Sequence, residues 1–309
     1  MESLTSESLR GNWATLLLTT DKDGTIDFSR LADEIDVLIG SGADGIYSNG
    51  TACEFYSQSM DEFIRTSEIL ASRCGRAGTP FQIGVSHPCA QESLARLRAV
   101  RDLKPGAVQV ILPDWFPVND EAAVTFMKTM AEEAGGIPLV LYNPPHAKRV
   151  LEPKGWQMLK AQVPELIGVK VFDRNCSAEW YAEMRANSEG ISVFVPGHHL
   201  ATGIRNGAKG AYSNVACINP SAAQKWSDTM SYDMESALEL EGRIQRFMKE
   251  CIDPFIAAGY PNHACDRFMA LVGGWADVGG KMRWPYSSIP EDNVARVRAR
   301  GHDIIPEFI

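Results

Sequence analysis

The run Leu166-Ile167-Gly168-Val169-Lys170-Val171 sets one lysine among apolar neighbours. Desolvating an ammonium is expensive, so lysine is rarely buried without a compensating use. The same cost depresses its pKa, and a neutral amine attacks a carbonyl carbon. Lys170 is therefore a candidate Schiff-base nucleophile; the competing reading is an edge-strand lysine that reaches solvent. A second apolar run, Leu139-Val140-Leu141-Tyr142, ends in a phenol one βα unit earlier in the chain. That separation makes the two runs adjacent parallel strands. Further upstream, Gly50-Thr51-Ala52-Cys53-Glu54 follows a short strand, Gly45-Ile46-Tyr47-Ser48. Gly50 lets backbone N–H groups approach a ligand, and Thr51 adds a hydroxyl.

Elements of regular alternation must carry these residues. Ala14 to Leu18 reads as a first strand, and Phe28 to Ile39 has apolar residues at helical spacing. The following Gly40-Ser41-Gly42-Ala43-Asp44-Gly45 matches the dinucleotide pattern of glycines. The order of elements is reversed, however, with a helix before it and a strand after it, so the glycines are read as a helix stop. Ser59, with Glu62 three residues on, is placed to cap a helix to Ser72, and Asn119 to cap one to Ala134. Strands at Phe81 to Val85, Ala107 to Leu112, Ser192 to Val195 and Gly210 to Ser213 complete eight β-then-α units. Eight such units predict an α/β fold of the (β/α)8 TIM barrel type, with its active site at the C-terminal ends of the strands. Thr51, Tyr142 and Lys170 all fall at or near such ends. Beyond Asn219-Pro220 only helical stretches follow. The expected organisation is a barrel over 1–225 and a C-terminal helical region over 226–309 that packs on it.

Composition narrows the partners. The chain has 309 residues, 45% hydrophobic and 22% charged, with a net charge of −9. That balance is ordinary for a globular protein and argues against nucleic acid or an anionic membrane as partner. No apolar run reaches the roughly 18 residues of a membrane span. The opening segment, MESLTSESLRGNW, lacks an apolar signal region, and the seven cysteines are scattered without a CxxC pair. A cytoplasmic protein with reduced thiols and no structural metal is expected.

The motifs named so far, with Asp23-Gly24-Thr25-Ile26-Asp27, Tyr142-Asn143-Pro144-Pro145, Gly168-Val169-Lys170 and Gly207-Ala208-Lys209-Gly210-Ala211-Tyr212-Ser213, occur in order over roughly residues 11 to 225. Together they resemble the dihydrodipicolinate synthase / N-acetylneuraminate lyase family. The resemblance implies a barrel with a C-terminal helical extension and no cofactor. It implies that Lys170 forms a Schiff base with pyruvate or a related 2-oxo acid, and that Tyr142 relays protons. It further implies that Thr51, with Gly50 and Ala52, holds the substrate carboxylate, and that the chain assembles as a homotetramer of two dimers.

Departures from the family pattern shape the functional reading. Ala52 stands where family synthases carry a second hydroxyl residue, and Cys53 replaces a usual glycine. Ala147 stands where the synthase has a carboxylate-binding arginine, flanked by His146, Lys148 and Arg149 as possible substitutes. Trp115 and Phe116 occupy the aromatic segment after strand four, and Trp115 is expected to line the distal part of the substrate. His198 and His199 follow strand seven, where relatives that bind sugar acids use acidic residues. Adjacent histidines seldom address one metal ion, so His199 is expected to contact substrate hydroxyls, as is Ser213 at the end of strand eight. These features favour a Schiff-base lyase, either an aldolase or a dehydratase, acting on a 2-oxo acid. Dihydrodipicolinate synthase proper is the alternative. A non-catalytic 2-oxo acid binding protein is a third reading, which the presence of both Lys170 and Tyr142 disfavours, because binding alone needs neither.

Overall fold

The computed structural model describes residues 1–309. Eight parallel strands close into a barrel in sequence order: β1 (Gly11–Thr15), β2 (Gly45–Ser48), β3 (Phe81–Gly84), β4 (Ala107–Val110), β5 (Leu139–Tyr142), β6 (Leu166–Lys170), β7 (Ser192–Pro196) and β8 (Gly210–Ser213). Closure comes from β1 pairing with both β2 and β8. The helices that follow the strands are α1 (Phe28–Gly40), α2 (Met60–Ala77), α3 (Ala90–Val100), α4 (Asp120–Ala134), α5 (Pro153–Gln162), α6 (Ala178–Ala186), α7 (Leu200–Arg205) and α8 (Pro220–Thr229). This is the (β/α)8 architecture that the alternation predicts.

Local chemistry sets the helix starts. Ser59 and Glu62 form a reciprocal capping box at α2, and the Asn119 side chain accepts from Ala122 N–H at α4. The glycines at 40–45 end α1 and lead into β2, as expected. The first strand differs from the expected Ala14 to Leu18. Gly11–Thr15 holds the ladder positions, and Leu17 leaves it because its N–H donates to the buried Glu34 carboxylate at 2.7 Å. The apolar run Leu16–Leu18 is buried all the same, which is why hydrophobicity alone set the strand too late.

The barrel interior is a packed core. Trp13, Tyr47, Val140, Phe194 and Tyr212 interdigitate within it, and Leu9 seals the N-terminal end. Both faces of each strand are therefore dry, in keeping with near-continuous apolar strand sequences.

The remaining helices are α9 (Met234–Phe247), continued by a π-helical segment (Met248–Ile252), then α10 (Asp253–Ala257), α11 (Asn262–Gly273) and α12 (Asn293–Ile304). The π-helical segment and α11 contribute side chains to the cavity at the C-terminal ends of the strands. No helix is long and apolar enough to cross a membrane.

One buried ion pair ties α11 to the barrel. Arg267 Nη2 lies 2.6 Å from Glu54 Oε1, with the side chains 2% and 0% exposed. Arg267 also donates to the carbonyls of Leu18, Val278 and Gly279, and Glu54 Oε2 accepts from Arg283 N–H. Glu54 itself sits in the left-handed region at φ 48°, just after the Thr51 turn. A single guanidinium thus joins the loop after β1, the Thr51 turn and the C-terminal helices. Removing one partner of a buried pair leaves an uncompensated charge, typically at about 3–5 kcal/mol. Arg267→Ala should lower unfolding free energy by about that amount, whereas truncating the exposed pair Arg205–Glu235 should cost about 1 kcal/mol or less. Chemical denaturation of the two variants measures the contrast; equal effects would show that the clamp contributes nothing special.

Candidate active site

Parallel pairing places Tyr142 directly opposite Lys170 at the ends of β5 and β6. Both side chains face a cavity of about 470 Å³ at the strand C-termini. The Lys170 ammonium is enclosed by three phenol rings. Its Nζ lies 4.4 Å from the Tyr142 ring centroid, 4.8 Å from that of Tyr47 and 5.4 Å from that of Tyr212. It also donates to Tyr47 Oη at 3.2 Å. Burial lowers the Lys170 pKa to about 8, against the opposing pull of Asp266. Asp266, on α11, lines the same cavity, and burial raises its carboxyl to about 7 while the lysine pulls it down.

Thr51 Oγ1 donates to Tyr142 Oη at 3.1 Å, so the β2 turn and the β5 phenol form one hydrogen-bonded unit. Burial pushes the Tyr142 phenol up to about 12, with the Thr51 hydrogen bond acting in the opposite sense. Gly50 is needed where it stands: a Cβ there would lie 2.8 Å from the Tyr47 ring. The glycine lets the turn pack flat on the ring that in turn contacts Lys170.

The sequence-derived candidates divide. Lys170, Tyr142, Thr51, Ala52 and His199 line the cavity, and Gly50 supports it from behind. Ser213 is fully buried beneath the site, where its hydroxyl accepts from Ala216 N–H, and its neighbour Asn214 faces the cavity instead. Trp115 stands outside, 77% exposed beside the 74% exposed Phe116. Of the three groups flanking Ala147, Lys148 donates to the Trp115 carbonyl and Arg149 pairs with Asp120, which leaves His146 facing the cavity. Ala147 borders a side pocket of about 330 Å³ that shares Thr51, Tyr142 and His146 with the main cavity.

Three further groups emerge only in three dimensions. Tyr47 closes the cage from β2, and Asp266 approaches from a helix nearly one hundred residues beyond Lys170. Asp173 lies three residues past Lys170 and accepts from His199 Nδ1 at 2.9 Å. Asp173, Cys176 and His199 thereby bring their polar side-chain atoms within 4.8 Å of one another, and His198 is not among them. The signal that could have found Tyr47 was its place in the apolar run before Gly50. Neither Asp266 nor Asp173 has an equivalent sequence cue.

The fold defines a class of barrel proteins with a cavity at the strand C-termini, and comparison with known proteins narrows it. The chain belongs to the dihydrodipicolinate synthetase family, whose model matches residues 8–299. Among curated relatives, a 4-hydroxy-tetrahydrodipicolinate synthase of Neisseria meningitidis is 27% identical over 193 residues, which span 62% of this chain and 65% of that protein. A trans-O-hydroxybenzylidenepyruvate hydratase-aldolase of Sphingobium xenophagum is 22% identical, with 96% of this chain and 93% of that protein covered. Among solved structures, the E. coli K12 prophage protein YagE in complex with pyruvate aligns with a TM-score of 0.83 at 19% identity, covering 96% of this chain and 98% of its own. The Ruminococcus gnavus sialic acid aldolase, in a form mutated at its catalytic lysine, aligns with a TM-score of 0.83 at 17% identity over the full length of both chains.

The electrostatics generate a pH signature. Lys170 is mostly protonated below pH 8 and mostly neutral above it, so a reaction limited by its free amine should rise with pH through about 8 and then level. The Asp266 carboxylate favours the ammonium. Asp266→Asn should therefore move the midpoint of borohydride trapping with pyruvate to lower pH. An unmoved or raised midpoint would show that the carboxylate does not act on the lysine.

Proposed function

We propose that this chain is a Schiff-base-forming lyase, an aldolase or dehydratase, acting on pyruvate or a related 2-oxo acid. The observation that carries the reading is Lys170: a desolvated amine with a pKa lowered to about 8, at a strand end, in a cavity large enough for a small acid. Family membership supports the same chemistry.

The residues serve the chemistry as follows. The neutral Lys170 amine adds to the keto carbon, and the resulting carbinolamine loses water to give a protonated imine. Tyr142, held by Thr51, delivers the proton that departs with that water. The Thr51 turn receives the substrate carboxylate through backbone N–H groups. The imine then withdraws electrons as the bond to the next carbons is made or broken. The three phenol rings stabilise the ammonium and the iminium alike, since both are cations over π faces.

The departures favour a partner other than aspartate semialdehyde. Ala147 offers no guanidinium, Lys148 and Arg149 are engaged elsewhere, and Ala52 offers no second hydroxyl for the relay. Dihydrodipicolinate synthase proper is thus the less favoured reading, and a hydroxylated or aromatic 2-oxo acid the preferred substrate class. The exposed Trp115 and Phe116 support assembly into a homotetramer of two dimers, because large aromatics anchor interfaces. Seven unpaired cysteines support a cytoplasmic location.

Borohydride with pyruvate should add one reduced adduct per chain, on the Lys170 peptide, and Tyr142→Phe should lower turnover by about 10²–10⁴-fold while the adduct still forms. Intact-protein mass and steady-state kinetics measure the two; an adduct elsewhere refutes the reading. Across a panel, kcat/KM should be higher for 4-hydroxy-2-oxo acids than for aspartate semialdehyde plus pyruvate. A wide margin for the semialdehyde would restore the synthase.

A further inference from the structure

We infer that His199, oriented by Asp173, is the acid–base group for the hydroxyl on the distal half of the substrate, and that this wall of the cavity selects a hydroxylated 2-oxo acid. The inference rests on the Schiff-base reading above and adds a second proton-transfer device, after β7, to that of Tyr142 at the end of β5.

The geometry is that of a fixed imidazole. His199 Nδ1 lies 2.9 Å and 3.0 Å from the two oxygens of Asp173. Asp173 is fully buried, and its Oδ2 also accepts from Tyr181 Oη at 2.9 Å and from Cys176 Sγ at 3.6 Å. Donors on the carboxylate, His199 and Tyr181 foremost, hold its pKa below the usual range against the cost of burial. An ionised Asp173 takes the Nδ1 proton as a hydrogen bond, which leaves Nε2 as the basic nitrogen. His199 is a cavity-lining residue, and its ring touches no other carboxylate.

Backbone conformation supports the arrangement. Arg174, Asn175 and Cys176 are three consecutive non-glycine residues at φ 50°, 55° and 63°. Each such residue costs on the order of 1–3 kcal/mol and persists where its surroundings over-determine it. Here the left-handed turn carries Cys176 back onto Asp173, immediately beyond the strand that bears Lys170. Strain of this kind concentrates at functional sites.

The groups that face the imidazole come from several elements. Asp173 and Cys176 approach from the segment after β6, Tyr181 stands behind Asp173 on α6, and Glu241 on α9 interacts through space. His198 packs against it at 4.3 Å between centroids with the rings tilted by 60°, and burial together with the His199 charge lowers the His198 pKa to about 4, so it stays neutral. The same cavity is also lined by Lys170, Asp266, Lys249, Asp253 and His146.

The step balances without a co-reactant. In the cleavage direction His199 Nε2 takes the proton of the 4-hydroxyl. The C3–C4 electron pair flows into the protonated imine to give an enamine, and an aldehyde departs. The imidazolium then returns its proton to C3 of the enamine or to solvent. In a dehydration, the neutral imidazole first takes a C3 proton from the protonated imine to give the enamine. The imidazolium then returns that proton to the 4-hydroxyl, which leaves as water as the enamine electron pair forms the C3–C4 double bond.

The test uses the full chain with a 4-hydroxy-2-oxo acid that the wild type cleaves or dehydrates, alongside pyruvate trapping by borohydride. His199→Gln and Asp173→Asn should each lower kcat by about 10²–10⁴-fold with little change in KM. Tyr181→Phe, which removes one donor from Asp173 but keeps the His199–Asp173 contact, should lower kcat by less than either, again with little change in KM. Pyruvate trapping at Lys170 should match the wild type in all three. Unchanged turnover, or a loss of trapping in parallel with turnover, would overturn the assignment. So would one zinc per chain in the purified protein that His199→Gln releases, because Asp173, Cys176 and His199 would then be ligands. Failure of the wild type to trap pyruvate at all would instead overturn the Schiff-base reading beneath it.

Discussion

Keeping one lysine away from water at the end of β6 is the constraint around which the rest is arranged. A full ion pair at contact distance would hold its pKa high and leave no neutral amine. Complete isolation would make the protonated form too costly. The structure takes neither course. Three phenol rings surround Nζ and one hydroxyl accepts from it, while the Asp266 carboxylate acts through space without a hydrogen bond of its own. The result is an amine near pKa 8, which both protonation states populate at neutral to mildly alkaline pH. The same rings would serve an iminium at this position as they serve the ammonium, because their π faces respond to charge rather than to the identity of the cation.

That environment depends on chain far from the lysine. Tyr142 is fixed by strand pairing, Tyr47 by its packing on Gly50, and Tyr212 by donating to Gln82 in the barrel interior at 2.8 Å. Asp266 is fixed by α11, which Arg267 locks to Glu54 and thereby to the Thr51 turn. Adjacent residues of one helix therefore serve two ends: Asp266 sets the charge near Lys170, and Arg267 holds that helix against the turn that contacts Tyr142. The C-terminal helices are part of the cavity wall, and the barrel alone would leave the ammonium open to water on that side.

What the sequence disclosed follows from where each signal lies. Lys170, Tyr142 and Thr51 each end an apolar run of strand character, and the β-then-α alternation makes such ends neighbours at one face. The capped helices and the glycine stop after α1 were legible for the same local reason. Asp266 was not, since an acidic residue in an amphipathic helix looks like any solvated position until the helix is docked. Asp173 was hidden just before Arg174-Asn175-Cys176, whose left-handed turn no pattern of hydrophobicity announces. Ser213 and Trp115 fell on the correct strands and loops, but side-chain direction at a strand end and the path of a loop are set by tertiary packing. In the single chain both point away from the cavity.

The placement of cationic groups near the cavity bears on the kind of molecule the cavity can receive. A second substrate with its own carboxylate needs a donor fork on the far wall, and a bidentate guanidinium is the usual solution. Here the segment after β5 sends Lys148 to the Trp115 carbonyl and Arg149 to Asp120, with Ala147 open to the side pocket. The far wall instead presents His198 and His199, with His198 held neutral by burial, and the amide of Asn214. Such groups exchange hydrogen bonds with hydroxyls and carbonyls more readily than they neutralise a carboxylate. A site that anchors a substrate through buried polar partners rejects an analogue that leaves those partners unpaired, and the penalty is larger than a misplaced methylene incurs. A wall of this polarity suits discrimination by hydroxyl pattern, while under the proposed function Lys170 and the Thr51 turn would address what all 2-oxo acids share.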